Sequence, residues 1–327
     1  MKALILAGGL GTRLRPLTET RPKHLLPIAN VPHVEHVLDL LRRHGIHDVV
    51  LLTSYLAHAF DSVVAGARSA GMVVEVTHER EPLGTAGALK NAEQLVGGST
   101  FLAFNGDVLT DVDLSQVLDF HHSRRAEATI VLAPVDDPSA YGVVPTAADG
   151  RVEGFIEKPP AGRAPTNLIN AGIYVLEPSV LDRIPTAEVW SAERALFPGL
   201  VDEGARLYAC STGAYWMDIG TPAKYLQANL DALGGAYRAA AAVRSGDHVL
   251  CGPGAVVAER ARVSWSCLGS KVAVAEDVTI ERSVLLPGVA VGAGATISGS
   301  ILGEDVRVAA GAQVVDRAVA DGENVVP

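Results

Sequence analysis

The sequence predicts two architectures in succession, an α/β domain on a mostly parallel sheet and then a small parallel β-helix. Three observations predict them. Short aliphatic runs alternate with amphipathic helical stretches through the first two thirds of the chain. Glycine-bearing or acidic segments follow directly on those runs. From residue 249 onward the chain repeats itself every 17 residues. Strands separated by helices argue for a parallel sheet covered on both faces, whose strands read as continuous apolar runs.

In chain order, KALILA (2–7) reads as a buried strand, followed by the glycine loop AGGLGTRLRP (7–16). PHVEHVLDLLRRHG (32–45) reads as an amphipathic helix stopped by a glycine, and DVVLLTS (48–54) as a second buried strand. A helical stretch over 56–70, a strand MVVEVTHE (72–79), a helix over 84–96 and a strand in TFLAFNGDVL (100–109) complete the pattern. Ligands of open parallel sheets sit outside the carboxyl ends of the strands. Three segments place polar residues there: the glycine loop, EREPLGTAG after VVEVTH, and NGDV after FLAF.

The repeat is visible when the chain is written as AVVAERARVSWSCLGSK, VAVAEDVTIERSVLLPG, VAVGAGATISGSILGED and VRVAAGAQVVDRAVADG. Ala255, Val272, Val289 and Val306 align, as do Val257, Val274, Val291 and Val308, and Val263, Ile280, Ile297 and Val314. Small or aliphatic residues recurring about every six positions are the mark of a triangular parallel β-helix, each block one turn burying its inward side chains on the next. A period of 17 leaves one corner a residue short of three hexads. The expected division is an α/β domain over 1–235, a linker over 236–248 and the β-helix over 249–327.

With 27 Lys and Arg against 37 Asp and Glu, the net charge of −10 excludes broad binding to nucleic acid or anionic membrane, which needs excess basic charge. An anionic ligand must be drawn by a local basic cluster. Cys210, Cys251 and Cys267 lack metal-ligand spacing and fit free thiols in a reducing compartment. The apolar start is too short for a secretory signal, and no run approaches the ~20 apolar residues of a membrane span. A cytoplasmic protein is expected.

A glycine loop between strand and helix lets backbone N–H groups approach phosphate oxygens. Gly8, Gly9, Gly11 and Thr12 form such a loop, but it lacks the third glycine of the dinucleotide fingerprint and the Gly-Lys-Ser/Thr of a P-loop. Thr53 and Ser54 stand where a dinucleotide fold needs an acidic residue, which counts against a nicotinamide oxidoreductase. The loop adds two cations, Arg13 and then Lys23 in the proline-stiffened RPKHLLP. They suit a triphosphate whose pyrophosphate departs. On residue types alone, a turn with solvated cations fits equally well.

LILAGGLGTRLRPLTETRPKHLLPIAN closely resembles the signature of the sugar-1-phosphate nucleotidylyltransferases. The resemblance continues in order through EPLGTAGAL, FNGDVL, YGVV, GFIEKP, NAGIYVLEP and YWMDIGTPAKYLQAN, over residues 1–232. It implies a Rossmann-like nucleotidyltransferase domain followed by a left-handed β-helix. It also implies that a sugar 1-phosphate oxygen attacks the α-phosphorus of a nucleoside triphosphate. A phosphate monoester is already ionised at neutral pH, its second pKa being about 6, so no general base is needed. The catalyst aligns two anions and neutralises them, work for Mg²⁺ and cations.

Carried over residue by residue, the resemblance makes Asp107 and Asp218 the Mg²⁺ ligands, and Arg13, Lys23, Asp107 and Lys158 catalytic. Leu6, Gly8, Gly9, Gly11, Thr12, Arg13, Lys23, Gly84, Thr85 and Ala86 would bind the nucleotide. Gly106, Tyr141, Gly142, Glu157, Lys158, Asn170 and Gly172 would form the sugar pocket. Asp111 and Asp113 read as turn and helix-cap residues, though they lie close enough to Asp107 to be its rivals. Asn30-Val31-Pro32 departs from the Asn-Lys-Pro of many relatives, which leaves nucleotide or effector contacts open there.

Within the family, EPLGTAGAL with FNGDVL looks more like the mannose-1-phosphate guanylyltransferases, so GTP and mannose 1-phosphate are the favoured substrates. A thymidylyl- or uridylyltransferase for glucose 1-phosphate, or a guanylyltransferase for another sugar or cyclitol phosphate, stays open. So does a non-catalytic regulatory homologue that binds sugar nucleotide, although the intact loop, cations and aspartates disfavour it. Acetyl transfer by the β-helix is disfavoured because His248, the sole histidine beyond residue 122, precedes the repeats. The β-helix is expected to serve structure or assembly of a homo-oligomer.

Overall fold

The computed structural model describes residues 1–54, 56–79, 81–239 and 248–327. Of the expected linker, 240–247 lie outside the described residues. The chain divides into two compact units that are not simply successive: Met1–Gly9 with Val37–Trp216, and Leu10–His36 with Met217–Pro327.

The first unit is the α/β sheet. Its principal strands are β1 (Lys2–Leu6), β2 (Asp48–Thr53), β3 (Val73–His78), β4 (Phe101–Asn105), β5 (Ala128–Pro134), β6 (Leu168–Leu176) and β7 (Leu207–Ser211). They lie in the order β3-β2-β1-β4-β6-β5-β7. All neighbours are parallel except β6, which runs antiparallel to β4 and β5. Central β1 buries Ala3, Leu4 and Ile5 completely, as a strand covered on both faces must. Edge strand β3 instead alternates, with Val73 exposed and Val74 buried.

The helices form for local reasons the sequence carries. α1 (His33–Arg43) buries Val34, Val37, Leu38, Leu40 and Leu41 on one stripe. Asp39 pairs with Arg42 and Arg43 one turn on, and Gly45 closes the end at φ 72°. α2 spans Asp61–Ser69 and α3 Gly84–Asn91. α4 (Leu114–Arg124) is capped by Asp113, whose carboxylate accepts the Gln116 N–H at 3.1 Å, while Asp111 accepts the Tyr215 N–H at 2.8 Å. Asp113 is thus the cap read from the sequence, whereas Asp111 ties the segment after β4 to Tyr215, 104 residues on.

In the second unit, α5 (Pro222–Gly234) starts from the Thr221 cap with proline at its first position and ends at Gly235 in the left-handed region. Beyond it the repeats form three parallel ladders, in which each paired strand residue meets the one 17 places on, as Val257 with Val274 and Val263 with Ile280. From the second turn on, the aligned columns are the core: Val272, Val289 and Val306 are fully buried, as are Ile297 and Val314, whereas Val257 of the first turn is exposed. The short corner is where Trp265 alone separates the strand ending at Ser264 from the strand beginning at Ser266. Trp265, Arg282, Gly299 and Asp316 hold that corner in the left-handed region on successive turns.

Serines lock the corner. Ser266, Ser283 and Ser300 are fully buried, and each hydroxyl donates at 2.7 Å to a carbonyl two residues earlier. Each hydroxyl oxygen also accepts a backbone N–H from the next turn, from Ser283, Ser300 and Arg317, at 3.1 Å. Every buried polar atom in the column is satisfied by repetition.

Candidate functional site

Each unit gathers its own share of the expected residues. In the first, the carboxyl ends of β1 and β4 are tied together, because the Gly106 N–H donates to the Leu6 carbonyl at 3.0 Å. Gly8 is held by the Ser54 hydroxyl, which donates to its carbonyl at 2.5 Å. A Cβ on Gly8 would lie 2.9 Å from that hydroxyl, so a larger residue there would displace it. Asp107, partly buried, follows Gly106 at the end of β4.

The sugar-side residues come together around a bulge in β6. The pairing of β6 with β5 shifts register between Asn170 and Tyr174. Gly172 within the shift has φ 74°, and a Cβ there would lie 2.6 Å from the Asn105 amide nitrogen. The Asn170 side chain accepts the Gly172 N–H at 2.9 Å and donates to the Tyr174 hydroxyl at 2.8 Å. Gly142 pairs with Glu157 across a short antiparallel ladder, and a Cβ on Gly142 would lie 2.6 Å from the Phe155 ring. Lys158, at φ 50°, donates its N–H to the Tyr141 carbonyl, and its ammonium stands exposed, 4.0 Å from the Glu157 carboxylate. The Tyr141 ring meets Trp216 edge-on at 5.6 Å, and the Trp216 indole donates to the Ala171 carbonyl.

The loop opening α3 is tied to a segment about a hundred residues further on. The Ala86 N–H donates to the Trp190 carbonyl at 2.9 Å. The Thr85 hydroxyl donates to Glu193 at 2.8 Å and accepts the Ala192 N–H at 2.7 Å. Both residues therefore fasten the loop to the segment at 190–193. A Cβ on Gly84 would lie 2.8 Å from the Trp190 carbonyl.

Three residues that sequence reading did not single out also stand here. Glu193, on a π-helical turn (Ala192–Leu196), joins Thr85 and Ser191 on one carboxylate oxygen and faces the Tyr174 hydroxyl at 3.4 Å on the other. Burial, with the Glu193 charge adding to it, pushes the Tyr174 phenol well above its usual range, so it stays a neutral donor. Asn105 has a buried side-chain oxygen, and Glu79 a buried carboxylate oxygen, without partners among the described residues. Burial raises the Glu79 carboxyl, and the Leu83 backbone N–H opposes this. For Asn105 and Glu79 the signal in the sequence is a polar residue at the end of a strand, and Glu193 carries no such signal.

In the second unit, Gly11 (φ 63°) lets three pieces of chain meet. A Cβ there would lie 3.1 Å from both the Lys23 Cβ and the Thr18 methyl, and the Thr18 hydroxyl donates to the Gly11 carbonyl at 2.8 Å. Thr12 and Arg13 follow in a short 3-10 turn, and Lys23 opens another. A Cβ on Gly220 would lie 3.1 Å from an Arg13 guanidinium nitrogen and from an Asp218 carboxylate oxygen alike. Asp218 also pairs with the Lys224 ammonium. Arg13 and Asp218, 205 positions apart in the chain, thus converge on one glycine.

Among the described residues no group of three or more His, Cys, Asp or Glu gathers that could hold a metal by itself. No helix among them is long and apolar enough to cross a membrane.

The nucleotidyl transferase family model matches residues 2–234, and a GlmU-like C-terminal hexapeptide model matches 237–325, in accord with a left-handed β-helix. The chain is 42% identical over 234 residues to mannose-1-phosphate guanylyltransferase of Mycobacterium tuberculosis, covering 71% of this chain and 65% of that protein. It is 41% identical over 230 residues to the mannose-1-phosphate guanylyltransferase catalytic subunit beta of Danio rerio, covering 69% of this chain and 63% of that one. The crystal structure of HddC from Yersinia pseudotuberculosis complexed with GMP-PN superposes with a TM-score of 0.60 at 31% identity, over 70% of this chain and 97% of that chain. The chain belongs to the nucleotidyl transferase family.

Proposed function

We propose that the protein transfers GMP from GTP to a sugar 1-phosphate, mannose 1-phosphate first among candidates, releasing pyrophosphate. Family membership and the guanylyltransferase relatives support the reaction. One observation carries the choice of guanine: Glu79, at the mouth of the Gly84 loop, keeps a buried carboxylate oxygen without a partner among the described residues. Guanine offers two N–H donors on one edge, and a carboxylate is the acceptor that suits them. Uracil and thymine offer only one.

In the reaction a sugar-phosphate oxygen forms a bond to the α-phosphorus. The bond from that phosphorus to the bridging oxygen breaks, and pyrophosphate leaves with the electron pair. Arg13 and Lys23 neutralise the triphosphate, with Leu6, Gly8, Gly9, Gly11 and Thr12 shaping the loop that admits it. Gly84, Thr85 and Ala86 bind the nucleotide on its base side, the bonds of Thr85 and Ala86 to the segment at 190–193 holding their loop in place. Lys158 meets the sugar phosphate, while Glu157, Asn170, Gly172, Gly142, Tyr141 and Gly106 bound the sugar. Hard carboxylate oxygens at Asp107 and Asp218 fit Mg²⁺, which takes one or two carboxylates and fills its shell with phosphate oxygens and water. Bound there, Mg²⁺ would neutralise phosphate charge. The protein is cytoplasmic, and its β-helix joins copies in a homo-oligomer.

The test is pyrophosphate release with Mg²⁺, crossing GTP, UTP, dTTP, ATP and CTP with mannose, glucose and other sugar 1-phosphates. Release with GTP and mannose 1-phosphate above all other pairs is expected. Preference for dTTP or UTP with a glucose-type phosphate overturns the substrates and keeps the chemistry. Silence with every pair, alongside tight binding of a sugar nucleotide, identifies a regulatory homologue.

A further inference from the structure

The segment carrying Lys23 is gripped by the β-helix. Arg21, two residues before Lys23, places one guanidinium nitrogen 3.0 Å from Glu304 and the other 2.5 Å from Asp321. The Thr20 hydroxyl donates to the same Asp321 oxygen at 2.5 Å. Asp321 also accepts the Glu304 N–H at 2.7 Å, so the two carboxylates belong to one built corner. The Arg21 side chain is only 13% exposed and that of Asp321 18%, which removes this pair from the weak class of solvated surface bridges, while the Glu304 side chain is 45% exposed.

The sequence supports a specific device rather than a chance contact. Glu304 and Asp321 are one turn apart in the same column of the repeat, and the earlier members of that column are Pro253, Ser270 and Pro287. Acidic residues occupy it only where Arg21 arrives. Beyond Lys23 the segment is fastened again. The Tyr225 hydroxyl donates to the Pro27 carbonyl at 2.7 Å, Asn229 accepts the Ala29 N–H at 2.9 Å, and the Asn30 amide donates to the Leu268 carbonyl at 2.8 Å. Lys23 thus sits between two fixed points, with its own Cβ against Gly11.

We infer that the β-helix is a positioning element for the phosphate-binding lysine, with Arg21, Glu304 and Asp321 as positioning residues that act through the backbone of residues 20–23. The inference rests on the reading of Lys23 as a triphosphate cation. A lysine is a point charge on a flexible stem, so its contribution to a developing pyrophosphate depends on where its backbone is held. It gives the repeats a task within one chain, beside any part in assembly.

The test uses the full-length protein and three variants: Arg21→Ala, the double variant Glu304→Gln with Asp321→Asn, and the swap Arg21→Asp with Asp321→Arg. Two readouts are taken, amide hydrogen exchange over residues 18–26 without substrate, and steady-state kinetics with GTP and mannose 1-phosphate. Faster exchange at 18–26 is expected in the first two variants, with exchange in the Ile280 and Ile297 strands unchanged. Their kcat/KM for the nucleotide is expected to fall about tenfold while KM for the sugar phosphate stays within about twofold, with partial recovery in the swap. Wild-type exchange and wild-type kinetics in the first two variants overturn the inference. So does a loss that tracks unfolding of the repeats and is not recovered by the swap. A wild-type protein silent with every substrate pair sinks the substrate reading instead, and exchange at 18–26 still decides the clamp.

Discussion

Buried polar groups are treated in opposite ways by the sheet and by the repeats. In the β-helix the buried serines 266, 283 and 300 each both donate and accept, because every turn supplies the partner that the previous turn lacks. In the sheet unit, Asn105 and Glu79 keep buried oxygens without partners among the described residues, Asn105 as the last residue of β4 and Glu79 directly after β3. An unsatisfied buried group costs about 1–3 kcal/mol, so a fold tolerates it where something else returns the cost.

The largest expected effect sharpens that contrast at the carboxylates. Asp107→Asn and Asp218→Asn each keep the side-chain shape and remove the charge. Nucleotidyl transfer is expected to fall by on the order of 10²- to 10³-fold in each, with the melting temperature little changed. Single-turnover pyrophosphate release checks the rate, and a thermal melt checks the fold. A melt that collapses in step with activity would make these aspartates structural, like the serines.

Ser283→Ala should act in the opposite sense. It leaves the Ser300 N–H buried without its acceptor and removes the donor to the Glu281 carbonyl. A loss of about 2 kcal/mol in denaturant stability is expected, with transfer activity per folded molecule unchanged. An unaltered denaturation midpoint would break the claim that the serine column secures the corner.

The smallest effect is expected at Glu79. Glu79→Gln removes a buried charge, so stability should hold or rise, while preference for GTP over UTP falls by about tenfold, close to ~1.4 kcal/mol. The ratio of kcat/KM for the two nucleotides measures it. A variant that loses stability and keeps its GTP preference would turn Glu79 into an ordinary structural carboxylate and remove the support for guanine.

Much of this molecule was legible in advance. Apolar runs such as Ala3–Ile5 can be satisfied only between two other strands, so the parallel sheet followed from composition and spacing. The 17-residue register was written in the aligned valines and isoleucines, because a repeat that buries the same column must pair residue with residue at that interval. Asp113 as a cap and Gly45 as a stop were likewise local decisions. Thr85 and Ala86 show the limit of such reading. Their segment was visible, yet their bonds run to Trp190, Ala192 and Glu193, about a hundred residues away.

The sequence by itself therefore determined the elements, the repeat and the residue types that chemistry needs, since each depends on near neighbours and periodicity. Only the tertiary structure decided which of those residues meet. It brought Arg13 and Asp218 to Gly220, bulged β6 at Gly172 against Asn105, and closed Glu304 and Asp321 of the last turns on Arg21. Such meetings depend on how distant segments pack, and a side chain's partners are set by whatever the fold carries to it.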